Sequence, residues 1–229
     1  MAMFVQDLMA GNGVELTSRA GETGATWERT YGSLGNSQVN GGYFNNGGTQ
    51  TMFRASGTPA GNNYEVHAFT TYRGSYSGFE MTGPAVEMDG SGSCYAAGWR
   101  IDSNGVCLYK YTSGSRTLLT SVARSTPSAG TAVKLTLRRV WTGSTNNLTV
   151  YIDDVAVITD YQDASYNGVG RVGLIGREAI NSTGVLGAPQ AYGFPIDSIE
   201  AWDVAGGASI TLQQVERGRG VLRGLGRGL

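Results

Sequence analysis

The sequence predicts an all-β fold: two antiparallel sheets packed as a sandwich over residues 1–204, followed by a non-globular arm over residues 205–229. Three observations carry this reading. Short runs rich in Val, Ile, Thr and aromatic residues recur along the body at a spacing of about 8–15 residues, as in sandwiches and barrels. Asn-Gly and Asp-Gly pairs stand between many of them, and such pairs favour the positive-φ turns of tight hairpins. No window of a dozen residues shows a convincing helical period.

In chain order, MFVQDL and VELTS come first, with Asn12-Gly13 between them. WERTY and TQTMFRA follow, and Asn40-Gly41 and Asn46-Gly47 punctuate the stretch that separates them. YEVHAFTTYR is the first long strand and sets His67 beside Glu65 on one face. Asp89-Gly90 precedes YAAGWRI, and a turn near Ser103-Asn104-Gly105 leads to VCLYKYT. RTLLTSVA is Thr/Ser-rich and reads as a strand. Alternation is cleanest from Val133 to Ile158. Val133, Leu135 and Leu137 oppose Lys134, Thr136 and Arg138; Leu148, Val150 and Ile152 share a face, and so do Val155 and Val157. With turns at Ser144-Thr145-Asn146 and Asp153-Asp154, this predicts a three-stranded meander with one dry face. Asn167-Gly168 leads into GRVGLIG, and SIEAWDV closes the body.

Composition agrees. Glycine contributes 36 of 229 residues without a three-residue period, which excludes collagen, while 40% hydrophobic and 10% aromatic residues suffice for a core. No apolar run approaches the roughly 18 residues of a membrane helix, so no membrane partner is expected. The opening MAMFVQDLMAGNG lacks a basic stretch before an apolar segment, so a secretory leader is expected to be absent or already removed. Net charge is -1, from 17 Lys/Arg and 18 Asp/Glu. Residues 1–208 carry 13 basic and 17 acidic residues; residues 209–229 carry Arg217, Arg219, Arg223 and Arg227 against Glu216. An acidic body does not track along nucleic acid, and no nucleic-acid partner is expected. The hairpin turn places Cys107 opposite a residue near position 100 or 102 and Cys94 opposite one near 113 or 115. The sulfurs are then out of register for a bridge, which predicts two free thiols and fits a reducing compartment.

Patterns that carry chemistry are sparse. No G-x-S-x-G sequence or phosphate-binding loop is present. One histidine and two separated cysteines make no zinc site, and His67 reads as structural. Asp153, Asp154, Asp160 and Asp163 offer oxygen ligands for a calcium ion, with turn formation as the competing reading. Trp99, Arg100 and Tyr109, with Tyr72, Tyr95 and Tyr111, could stack on and hydrogen-bond a sugar; packing is the competing reading of these rings. In the arm, Arg217, Arg219, Arg223 and Arg227 can pair with acidic rims, while Val221, Leu222, Leu225 and Leu229 can fill apolar grooves of a neighbour.

The order of features resembles the concanavalin A-like jelly-roll superfamily of lectins, glucanases and laminin-G-like sandwiches. GVELTSRAGETGATWERTYG resembles its opening segment, NYEVHAFTTYR its first long core strand, and CYAAGWRIDSNGVCLYKYTSGSRTLLTS its central hairpin with a short return strand. VKLTLRRVWTGSTNNLTVYIDDVAVITDYQDASYNGVGRVGLIG resembles its closing module, with PIDSIEAWDV returning beside the first strand. Glucanases of this superfamily carry E-x-D-x-E. Here Glu87-Met88-Asp89-Gly90-Ser91 keeps only two of the three carboxylates, so no catalytic residues and no enzyme are expected. No cofactor is expected beyond a structural calcium ion.

The make-up also resembles virion structural proteins of tailed bacteriophages. That resemblance implies a homo-oligomeric capsid decoration (cement) or head-fibre protein, trimers being common, assembled in the host cytoplasm. The C-terminal arm would then be its anchor on the major capsid protein or another virion protein. The alternative implied by the superfamily is a lectin-like adhesion module that binds host-surface glycans.

Overall fold

A computed structural model describes residues 1–9, 14–32, 38–40, 43–45, 50–72, 81–100, 105–168, 170–177 and 196–204. The strands are β1 (Met3–Asp7), β2 (Val14–Glu15), β3 (Trp27–Tyr31), β4 (Gln38–Asn40), β5 (Tyr43–Asn45), β6 (Thr51–Ala55), β7 (Tyr64–Thr71) and β8 (Met81–Val86). They continue with β9 (Cys94–Arg100), β10 (Gly105–Thr112), β11 (Ser115–Ala123), β12 (Ala132–Trp141), β13 (Asn146–Ile152), β14 (Val155–Asp163), β15 (Val172–Arg177) and β16 (Ile196–Asp203). One sheet runs β14-β13-β12-β7-β16-β5-β4-β2, with β1 also paired to β16; the other runs β11-β10-β9-β8-β15-β6-β3. The protein is a two-sheet antiparallel jelly-roll sandwich.

Alternation decides what lies between the sheets. From the nine-stranded sheet, Val66, Leu137, Leu148 and Val150 turn inward; from the seven-stranded sheet, Phe53, Ala97, Leu108 and Leu174 meet them. Each buried Val, Leu or Phe contributes about 1.5–3 kcal/mol. The seven-stranded sheet also carries a second buried cluster, which includes Met52, Cys107, Tyr109, Tyr111 and Ile175.

The meander forms as expected over β12, β13 and β14, and Asp153 and Asp154 make its second turn with φ of 50° and 66°. The last strand differs in detail. Register shifts between Leu148 and Tyr151 bring Ile158 opposite Val150 and into the core, and leave Val155 62% exposed. The β9–β10 hairpin pairs Cys107 with Gly98 and Cys94 with Tyr111, so its register differs from the expected one by two residues or more. The two cysteines are nonetheless both buried and form no disulfide. The β4, β5 and β8 strands are not legible in the sequence. Pro84 and Gly83 argue against β8, yet it lies inside the sheet. Its ladder with β9 contains only Ala85 and Val86, so Pro84, which has no N–H, is not called on there. At Gly83 a Cβ would fall 2.0 Å from the Ala97 carbonyl oxygen, so only glycine fits. Residues 205–229, with the whole arm, lie outside the described residues.

Candidate functional site

Because Tyr64, Val66 and Ala68 of β7 point into the core, Glu65, His67 and Phe69 occupy the outer face of the nine-stranded sheet. Register brings β12 and β16 alongside. Arg138 and Trp202 flank Glu65, Thr136 and Glu200 flank His67, and Lys134 and Ser198 flank Phe69. On the outer strands, β13 sets Tyr151 beside Thr136, and β1 sets Gln6 beside Glu200. The result is three rows of polar groups and rings on one surface.

These groups hold one another. His67 Nε2 lies 2.8 Å from Glu65 Oε1, and Arg138 Nε donates to Glu65 Oε2 at 2.6 Å. Arg138 Nη1 donates to the Tyr151 hydroxyl at 2.8 Å, and the guanidinium lies 4.8 Å from the centre of that ring. Gln6 Nε2 and Trp202 Nε1 donate to the two oxygens of Glu200 at 3.3 and 3.2 Å. Glu65 and His67 are buried among their neighbours, whereas Arg138, Tyr151, Phe69, Glu200 and Trp202 are half-buried and reachable. At the centre Thr136 is only 3% exposed, and its Oγ1 has no hydrogen-bond partner among the described residues. Buried hydroxyls are rarely left so. Beside Phe69 and Lys134 the face dips into a cleft of about 220 Å³ that Asp153 and Asp197 also line.

Burial alone would raise the Glu65 carboxyl, but hydrogen bonds from His67 and Arg138 outweigh it and hold the group below its ordinary 4.5. Burial likewise opposes, and hydrogen bonds overcome, at Asp89 and Asp163, both held below the ordinary 3.8. A carboxyl that titrates lower folded than unfolded adds stability that is complete above its unfolded value and is lost as pH falls through the folded one. Urea midpoints are therefore expected to be steady down to about 4.5 on account of these groups, then to fall. Glu65→Gln should make that fall shallower; an unchanged slope would remove Glu65 from the account.

The residues singled out in the sequence lie elsewhere. Trp99 and Tyr95 point into the core, as their shared face requires. Trp99 is 4% exposed and lines a void of only about 10 Å³, so its ring offers no face to a sugar. Tyr109 lies on the opposite side of the seven-stranded sheet at 1% exposure, where half-buried Arg100 donates to its hydroxyl at 3.3 Å. Tyr72 and Tyr111 are buried too. Glu87 is interior and paired with Arg139 at 3.1 Å; Asp89 accepts the backbone N–H groups of Ser91 and Ser93, each at 2.8 Å, and shapes a turn. The four aspartates do not converge. Asp153 accepts from Lys134 N, Asp154 pairs with Lys134 Nζ, and Asp163 sits at the other end of β14 under the Tyr95 hydroxyl. Among the described residues no three His, Cys, Asp or Glu side chains come together as metal ligands. Arg217, Arg219, Val221, Leu222, Arg223, Leu225, Arg227 and Leu229 lie outside the described residues.

Sequence reading pairs Glu65 with His67 but misses Arg138, Tyr151, Glu200, Trp202 and Gln6 as their companions. Alternation assigns several of these to polar faces. Which strands lie side by side is not a local property.

No family model matches the chain, and no curated protein matches it in sequence. Solved structures do match in fold. A carbohydrate-binding module, CBM66, from Bacillus subtilis aligns at TM-score 0.51 and 15% identity, over 74% of this chain and 90% of its own. The Emp46p carbohydrate recognition domain in a metal-free form aligns at 0.50 and 12%, over 79% and 88%. The VIP36 exoplasmic/lumenal domain bound to Ca2+ and Man3GlcNAc aligns at 0.51 and 9%, over 80% and 86%. At these identities the likeness shows a shared jelly-roll sandwich fold.

Proposed function

We propose that the protein binds carbohydrate through the outer face of its nine-stranded sheet. The observation that carries this is the Glu65–Arg138–Tyr151 linkage, flanked by the half-buried rings of Tyr151, Trp202 and Phe69. A sugar ring has an apolar C–H face and an edge of hydroxyls. Rings supply the stacking surface, and a few fixed planar polar groups set the orientation. Here the polar groups are held in place before any ligand arrives, which lowers the ordering cost of binding. Carbohydrate-binding domains among the structures of this fold support the reading.

The protein is a binding module on this account and not an enzyme. Both oxygens of Glu65 are engaged by His67 and Arg138, and Glu87 is closed off from solvent, so neither carboxyl is placed to attack or protonate a glycoside. The reading as a virion decoration or head-fibre protein rests on the make-up of the chain and puts its anchor in residues 205–229, outside the described residues; no observation in the described part favours it.

A glycan array followed by calorimetry on the hits tests the proposal. Trp202→Ala and Arg138→Ala are each expected to weaken binding by about tenfold to a hundredfold, a loss of about 1.4–2.8 kcal/mol. Trp202→Ala should leave the melting temperature nearly unchanged. Unaltered affinity in both folded variants would sink the proposal, as would the absence of any glycan hit.

A further inference from the structure

The free edges of the two sheets are unequal. An edge strand displays unpaired N–H and C=O groups, and proteins guard it by shortness, charge or bulges. The β2 edge has two residues; β1 has five and a register shift at Met3–Val5. At the edge of the seven-stranded sheet, β3 has five residues, carries Glu28 and Arg29, and shifts register before Tyr31. At the far edge of the other sheet, β14 shifts twice against β13, carries Asp160 and Asp163, and has a left-handed φ of 48° at Asp160. By contrast β11, SRTLLTSVA, has nine residues, no proline and a single charge, Arg116. Leu118 is 46% exposed and Val122 38% exposed, and nothing among the described residues pairs with the strand's far side.

We infer that β11 is an interaction edge whose occupant is the β11 strand of a second copy of this chain, added antiparallel across a two-fold axis. The pairing with β10 shows which residues can face each other. Arg116, Leu118, Ser121 and Ala123 lie over Tyr111, Tyr109, Cys107 and Gly105 on the outer side; Thr117, Thr120 and Val122 lie over Lys110, Leu108 and Val106 on the inner side. The change of parity at Leu119 reflects the register shift between Leu108 and Tyr109. Paired residues in a continuous sheet share a side. The antiparallel register that meets this condition throughout sets Arg116 against the partner copy's Ala123, Thr117 against Val122, Leu118 against Ser121, and Leu119 against Thr120. The irregularity at Leu119 then meets its own image on the axis, so neither half of the strand slips out of register.

Charge points the same way. In this register the two Arg116 side chains are seven residues apart along the strands, about 24 Å, whereas an in-register parallel pairing would set them side by side. An isologous contact of this kind closes at two copies and does not propagate.

The test is light scattering on size-exclusion peaks of the full chain over a range of concentrations, with melting temperature as a check on folding. A concentration-dependent dimer is expected. Leu118→Lys should yield monomer with the melting temperature retained, because lysine on an exposed edge is a natural guard. Val122→Lys should also yield monomer, and adding Thr117→Glu in the same chain should restore the dimer, since positions 117 and 122 face each other across the axis. A chain that stays monomeric at every concentration overturns the inference. So does a dimer that survives both lysine variants, or a Val122→Lys defect that Thr117→Glu does not relieve.

Discussion

Arg139→Met is expected to destabilise the fold by about 3–5 kcal/mol, the usual cost of leaving one member of a buried ion pair unpaired. For a chain of this length that lowers the melting temperature by roughly 10 °C. Arg139 is 1% exposed, and its Nε lies 3.1 Å from Glu87 Oε1. The same nitrogen donates to Asn146 Oδ1 at 2.6 Å, and Nη1 donates to the Asn62 carbonyl. Tyr64 closes the other side of Glu87, donating to Oε1 at 2.9 Å and accepting from the Glu87 backbone N–H at 3.1 Å. Burial, and then the nearby carboxylate, push the Tyr64 phenol upward, so it stays protonated and donates. Glu87 follows β8 of one sheet; Tyr64, Arg139 and Asn146 come from β7, β12 and β13 of the other. The group therefore ties the two layers together.

Removing the arginine takes its cationic partner away from a carboxylate buried inside the protein. Removing both charges is a different matter, because a matched apolar pair escapes the desolvation cost. The double variant Arg139→Met with Glu87→Met is expected to recover much of the loss, and a double-mutant cycle in urea reads the coupling directly. A single variant that loses less than about 1 kcal/mol would show that the pair is not the sheet-to-sheet tie inferred from its burial.

How much of this is legible in the sequence depends on whether the cause is local. The meander is legible because each strand's inward residues are set by a period of two within that strand. The same period places Arg139 on the inward side with Val133, Leu135 and Leu137. What the sequence does not disclose is its partner, since Glu87 lies just past the end of β8, in the opposite sheet. The candidate site divides the same way. Glu65 and His67 are two residues apart and share a face by alternation alone, while Arg138 and Trp202 join them only through the register of β12 and β16 on β7. Trp99 misleads for a related reason. Its strand is buried on both sides, so alternation cannot say which rings reach solvent.

Asp7→Ala is the second large loss expected, about 3 kcal/mol or more, and it bears on the face as well as the fold. Asp7 is fully buried at the end of β1 and accepts four hydrogen bonds. Met9 N and Arg19 Nη2 donate to Oδ1 at 2.8 and 2.6 Å; Arg19 Nε and Trp27 Nε1 donate to Oδ2 at 3.1 and 2.8 Å. Alanine takes the carboxylate from the Arg19 guanidinium and from two buried N–H groups at once. Asn cannot repair this, because its NH2 would face donors where an oxygen is needed; Asp7→Asn should therefore lose nearly as much. The neighbouring residue, Gln6, is the β1 contribution to the outer face through Glu200. A loosened β1 is expected to raise hydrogen exchange along its pairing with β16 and to weaken glycan binding less than Trp202→Ala does. If Asp7→Ala instead abolished binding while exchange along β1 stayed slow, Asp7 would be acting on the ligand and not through the strand, and the site would have to be redrawn around the start of the chain.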